Sequence, residues 1–127
     1  MEKEKIIGVT ALLIHAAKID EEYTDIEKMI IKNFLNKINN NLFDVQELLK
    51  KAEELELNSN QLLSFTNLIK KESVDFKSRV IEELWKIIIS DNKSDQYEAN
   101  LMRRICGLIY FPDKECAEIK LKLMNSK

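Results

Sequence analysis

Glycine and proline are scarce in this sequence, which has two glycines and one proline, Pro112, among its 127 residues. Tight β-turns depend heavily on both residue types, so a fold built from hairpins is disfavoured and helices are favoured. No apolar run approaches the ~20 residues that a membrane-spanning helix requires. The net charge of −2 offers no basis for the clustered positive surface of a nucleic-acid-binding domain.

Cysteine and histidine are also rare, since Cys106, Cys116 and His15 are the only residues of these types. One histidine without a Cys-Cys motif makes an ordinary zinc site unexpected. Cys106 lies on a predicted apolar helix face and is interpreted as a small buried hydrophobe. A disulfide or a metal site formed by the two cysteines is the alternative. His15 has apolar neighbours, and we expect it to be partly buried and hydrogen-bonded.

Catalytic motifs are missing as well. The sequence offers no nucleophile–base set and no glycine-rich phosphate loop, so we expect no enzymatic activity.

The N-terminal segment resembles the hydrophobic region of a signal peptide, because Lys3 and Lys5 precede an apolar stretch over residues 6–17. The interior segment around Trp85 has the same pattern and cannot be a signal. Residues 6–17 are therefore interpreted as a buried helix. Together with the cysteine usage, which suits a reducing compartment, this predicts a cytoplasmic protein.

Apolar residues recur at helical spacing along the whole chain, and no segment shows convincing strand alternation. The sequence therefore predicts an all-α fold, a single domain over residues 1–127. The helices are expected at about 6–19, 24–38, 43–57, 62–69, 74–88, 95–110 and 112–124.

A helix–acidic turn–helix unit occurs twice. Asp20 and Glu27 are seven residues apart, and Asp91 and Glu98 repeat this spacing 71 residues later (91 − 20 and 98 − 27). The same offset aligns apolar positions on both sides of the acids, which is typical of an internal repeat. The repeat halves are expected at about 5–38 and 76–110, related by a pseudo-two-fold axis.

The four repeated carboxylates have two possible roles. Glu27 and Glu98 each stand three residues after a capping residue, Thr24 or Asp95, where a carboxylate closes a capping box. Asp20 and Asp91 follow a helix, where Asp hydrogen-bonds to nearby backbone. Structural roles alone would explain all four residues.

The alternative is a divalent-cation site formed by both turns, because Ca²⁺, Mg²⁺ and Mn²⁺ prefer oxygen ligands. Neither turn is an EF-hand. Counted from Asp20 or Asp91, position 6 is Asp25 or Gln96 instead of glycine.

The residues around both turns resemble the TerB-like (tellurite-resistance B) family. The first signature is Ala-Lys-Ile-Asp at 17–20 followed by Tyr-Thr-Asp-Ile-Glu at 23–27. The second comprises residues 84–87, 90–98 and 101–105. The glycine that the family places after each Asp is replaced by Glu21 and Asn92. The resemblance covers about residues 5–118.

The resemblance implies a compact bundle of about seven helices in a bacterial, cytoplasmic, non-enzymatic stress-response protein. It also implies an acidic cluster that binds a divalent metal ion (Ca, Mg or Mn), carried here by Asp20, Glu27, Asp91 and Glu98. Family members are associated with tellurite resistance and with TerC-type membrane partners, which would place the protein at the inner membrane face. Relatives fused to J-domains in co-chaperones imply the alternative, a helical protein–protein adaptor without a metal site. The oligomeric state does not follow from the sequence.

Overall fold

The computed structural model describes residues 3–18, 24–58, 62–90 and 96–125. These residues form seven α-helices and no strands, which confirms the predicted all-α class. The helices are α1 (Lys3–Ala17), α2 (Asp25–Asn39), α3 (Val45–Asn58), α4 (Leu62–Thr66), α5 (Val74–Ser90), α6 (Gln96–Leu108) and α7 (Asp113–Asn125). The two predicted repeat halves contain α1–α2 and α5–α6.

Helix α1 lies at the centre of the bundle, packed against α2, α3, α4 and α5. Ten of its fifteen residues are buried, so it is apolar around most of its circumference, as expected for an interior helix. Helix α2 also contacts α5, while α7 packs on both α5 and α6. The main core is formed by apolar residues of all these helices, with Trp85 of α5 only 5% exposed.

Local signals set most helix ends. Asp44 accepts a hydrogen bond from the Gln46 backbone N–H and delays the start of α3 to Val45. Ser73 caps α5 through its hydroxyl oxygen, which accepts from the Phe76 N–H at 3.2 Å. Pro112 precedes α7 and contributes its carbonyl to the first helical bond, from Cys116. The helix therefore starts one residue later than predicted.

Helix α4 is shorter than the 62–69 predicted, because it ends at Thr66. The Thr66 hydroxyl donates to the Leu63 carbonyl. Hydrogen bonds of the i→i+3 type then run from Leu68 to Phe65 and from Ile69 to Thr66. Such side-chain and 3₁₀-type bonds compete with α-helical continuation.

The connection from α6 to α7 is a Schellman turn. The Phe111 N–H donates to the Cys106 carbonyl at 2.8 Å, and the Tyr110 N–H donates to the Gly107 carbonyl at 3.4 Å. Tyr110 has a positive φ of 60° at the position that glycine usually occupies. The turn places the start of α7 beside the end of α6.

Within the described residues, no helix combines the length and the apolar character required to cross a membrane.

Candidate functional site

The start of α2 is a capping box, as the sequence predicts. Thr24 has extended backbone angles, and its hydroxyl oxygen accepts a hydrogen bond from the Glu27 N–H at 3.2 Å. In return, Oε1 of Glu27 accepts from the backbone N–H of Thr24 at 2.8 Å and from its hydroxyl at 2.9 Å. The arrangement holds the Glu27 carboxylate in one orientation, and the side chain is only 1% exposed.

The other proposed ligands cannot be placed in the same detail. Asp20 and Asp91 lie outside the described residues, between α1 and α2 and between α5 and α6. Glu98 lies in the first turn of α6, and its side chain is outside the described part. The predicted meeting of the two acidic turns therefore stays a prediction. Among the described side chains, no group of three or more His, Cys, Asp or Glu residues could hold a metal ion.

A buried carboxylate that the sequence analysis did not single out lies beside the first turn. Glu56 of α3 is 5% exposed. Its Oε1 accepts a hydrogen bond from Nζ of Lys18 at 2.9 Å, and its Oε2 lies 3.3 Å from Nδ1 of His15. Because Lys18 directly follows α1, this ion pair fixes the end of α1 against α3 where the acidic segment begins.

The pattern of α3 contains a signal for Glu56. The side chains of Leu48, Ala52 and Glu56 are spaced four residues apart, and all three are buried, so a carboxylate occupies a core-facing position. A buried carboxylate needs a compensating partner, and Lys18 and His15 supply it. The prediction that His15 is partly buried and hydrogen-bonded is confirmed, since its side chain is 24% exposed.

The two cysteines form a second polar group in the core. Both are buried free thiols, which confirms the interpretation of Cys106. The Trp85 indole N–H points at Cys116 and donates to its sulfur at 3.3 Å and to its carbonyl oxygen at 3.2 Å. Beside this group is a cavity of about 620 Å³, lined in part by Cys116, Arg103 and Lys120.

A separate groove of about 390 Å³ runs between α2 and α5. Its rim carries both signs of charge, from Lys37, Arg79, Glu82, Glu83 and Lys86. Glu83 and Lys86 are paired at 3.1 Å. The mixed charge favours neither an anion nor a cation there.

Comparison with known proteins gives one family. The family described as Tellurite resistance protein TerB matches residues 7–121 of the chain. No curated protein and no solved structure matches.

Proposed function

Because this chain belongs to the TerB family, we propose that it is a non-enzymatic protein of tellurite resistance and stress response that binds a divalent cation. The ligands would be Asp20 and Glu27 of the first turn and Asp91 and Glu98 of the second. Carboxylate oxygens are the donors that Ca²⁺, Mg²⁺ and Mn²⁺ prefer. The residues therefore fit a hard cation better than zinc or copper.

The observation that carries the proposal is the buried and oriented carboxylate of Glu27. The Glu27 side chain is only 1% exposed, and solvent ions screen the charge of a buried group much less than that of a surface group. The bonds from Thr24 to Oε1 hold the carboxylate in one geometry. The Glu27 side chain therefore loses less conformational entropy when a cation binds to it. An ionised carboxylate has about four acceptor positions, so capping and cation binding are compatible roles for one side chain.

The ion pair between Glu56 and Lys18 adds support. It holds Lys18, which lies two residues before Asp20, with 2.9 Å between Nζ of Lys18 and Oε1 of Glu56. The first acidic turn thus starts from one anchored helix end and finishes at the capped start of another.

A titration of chelator-treated protein tests the proposal. Calorimetry and thermal unfolding would follow Ca²⁺, Mg²⁺ and Mn²⁺, with Zn²⁺ as the softer comparison ion. The double variant Asp20→Asn with Asp91→Asn should abolish saturable binding. Asp25→Asn removes an exposed acid of the same turn that is not among the proposed ligands and should retain binding. Equal affinities for the double variant and the native chain would reject the site.

A helical adaptor that acts without metal is the second candidate, and the outer face of α2 favours it. Ile26 and Met29 are 61% and 64% exposed, and their i, i+3 spacing places them on one face of the helix. Partner helices often dock on exposed apolar positions of this kind. A TerC-type membrane protein at the inner membrane face is the partner we propose for either candidate.

Co-purification with a co-expressed, detergent-solubilised TerC-type protein tests the partner. Ile26→Glu with Met29→Glu should abolish capture if α2 is the contact, while Leu121→Glu on α7 is the matched exposed control. Capture that survives in the α2 double variant would move the contact elsewhere. No capture with the native chain would reject this partner.

A further inference from the structure

The two cysteines lie at the junction of α5, α6 and α7. Cys106 is in the last turns of α6 and fully buried, while Cys116 is in the first turns of α7 and 6% exposed. The two thiols lie close enough that each shifts the pKa of the other. The Schellman turn around Tyr110 reverses the chain between them and brings the two cysteines to one junction of the core.

We propose that Cys106 and Cys116 form a dithiol that a hydroperoxide oxidises to an intramolecular disulfide, with Cys116 as the attacking sulfur and Cys106 as the resolving one. This modification site is separate from the acidic turns, because it uses other residues on other helices. Failure of the cation proposal would leave it unaffected.

The assignment of roles rests on the surroundings of each sulfur. The Trp85 N–H donates to Sγ of Cys116 at 3.3 Å, and a hydrogen bond to sulfur is stronger when that sulfur is a thiolate. Cys116 also lies near the positive N-terminal end of α7. Cys106 has no comparable donor among the bonds described for it.

Protonation preferences agree with this geometry. The neighbouring Cys106 thiol, together with the hydrogen bond from Trp85, lowers the pKa of Cys116 from its ordinary value and outweighs the opposing effect of burial. The Cys116 thiol and burial raise the pKa of Cys106. One sulfur is therefore favoured as the nucleophile and the other stays protonated.

The cavity gives a small oxidant access to the sulfur of Cys116. Its volume of about 620 Å³ exceeds the size of a hydroperoxide many times, and Cys116 lines it whereas Cys106 does not. Arg103, Lys114 and Lys120 contribute positive charge to its walls, and Asp113 contributes one negative charge. Of these charges, Asp113 raises the pKa of Cys116 and Lys120 lowers it, with Asp113 the stronger of the two, so the thiolate depends on the hydrogen bond from Trp85.

The reaction balances as two steps. The Cys116 thiolate attacks the hydroperoxide, so that an S–O bond forms, the O–O bond breaks and the alcohol leaves with a proton. The Cys106 sulfur then attacks the sulfenic acid on Cys116. An S–S bond forms, the S–O bond breaks and the hydroxide leaves as water with the Cys106 proton. Two electrons pass from the sulfurs to the peroxide.

Intact-mass and peptide mass spectrometry of the folded protein after hydrogen peroxide treatment tests the proposal. The native chain should lose two hydrogen atoms, yield one linked peptide pair and regain its mass with a dithiol reductant. Cys106→Ser should instead accumulate a sulfenic acid that dimedone traps at Cys116. Cys116→Ser should remain unlabelled.

Trp85→Phe keeps an aromatic ring in the core and removes the N–H donor, so oxidation of Cys116 should slow several-fold. Circular dichroism would establish that each variant is folded. Dimedone labelling at Cys106 in preference to Cys116 would overturn the assigned roles. A disulfide that forms only in urea, or none at millimolar peroxide, would overturn the proposal itself.

Discussion

Glu27 has a role in both helix capping and the proposed cation binding. Two single variants, Thr24→Ala and Glu27→Gln, separate these roles. Thr24→Ala removes the hydroxyl that accepts from the Glu27 N–H at 3.2 Å and leaves every proposed ligand in place. Glu27→Gln removes the negative charge, yet glutamine also serves as the last residue of a capping box. The two variants thus remove different functions from one structure.

The expected free energies of unfolding follow from these contacts. Loss of a threonine cap costs about 1 kcal/mol, so Thr24→Ala should lower stability by that amount in the presence of chelator. Glu27→Gln keeps an oxygen for both bonds from Thr24 and loses a charge near the helix N-terminus, worth ~0.3–1 kcal/mol. The loss of stability in Glu27→Gln is partly offset, because burying a neutral amide costs less free energy than burying a carboxylate.

An added cation should reverse the order of the two variants' free energies of unfolding. A ligand at ten times its dissociation constant stabilises the folded state by about 1.4 kcal/mol, and this gain falls to about 0.4 kcal/mol if binding weakens tenfold. Thr24→Ala loses the hydroxyl bond to Oε1 of Glu27 but keeps the backbone bond at 2.8 Å, so it should show most of the gain, and Glu27→Gln should show the reduced one. Urea unfolding, followed by far-UV circular dichroism with chelator and with Ca²⁺, measures both quantities.

Equal gains from Ca²⁺ in the native chain and in Glu27→Gln would refute the role of Glu27 as a ligand. A native chain that gains nothing from any cation would reduce the acidic turns to helix caps.

Four further predictions concern stability, each measured by urea or thermal unfolding. Gly107→Ala should stabilise by about 0.5–1 kcal/mol, because nothing lies within 4 Å of the new methyl group. Gly8→Ala should be neutral or destabilising by up to about 2 kcal/mol, because the methyl group would overlap Cδ1 of Leu68. A stabilised Gly8→Ala variant would contradict that packing. Tyr110→Gly should stabilise by about 1 kcal/mol, since it relieves a positive φ of 60°, and Tyr110→Ala should not. Glu56→Ala should cost about 1.5–3 kcal/mol through loss of its hydrogen bond to the charged Lys18, and a loss below 0.5 kcal/mol would place the pair with ordinary surface salt bridges.

The helices and their caps could be predicted because their signals lie in neighbouring residues. The capping box at Thr24 and Glu27 and the apolar face around Trp85 depend on spacings of three and four residues. The predicted end of α4 was wrong because the Thr66 hydroxyl donates to the backbone carbonyl of Leu63. The spacing of apolar residues does not indicate such a bond. Prediction succeeded where the information was local.

The polar contacts in the core could not be predicted because they join distant segments. Glu56 meets Lys18 across 38 residues and Trp85 meets Cys116 across 31. Each contact depends on how two helices pack, which a single sequence pattern does not specify. The proposed ligands Asp20 and Asp91 were found from the repeat, and their relative placement stays a prediction.

The central position of α1 has a consequence for synthesis on the ribosome. This helix is buried around most of its surface, yet one of the helices that cover it, α5, is complete only once Ser90 has been translated. Until then the nascent chain exposes the apolar surface of α1 that α5 later covers. Chaperones protect surfaces of this type from aggregation. The folding of this bundle therefore depends on long-range docking to its earliest helix, and slow translation after α3 would prolong the vulnerable interval.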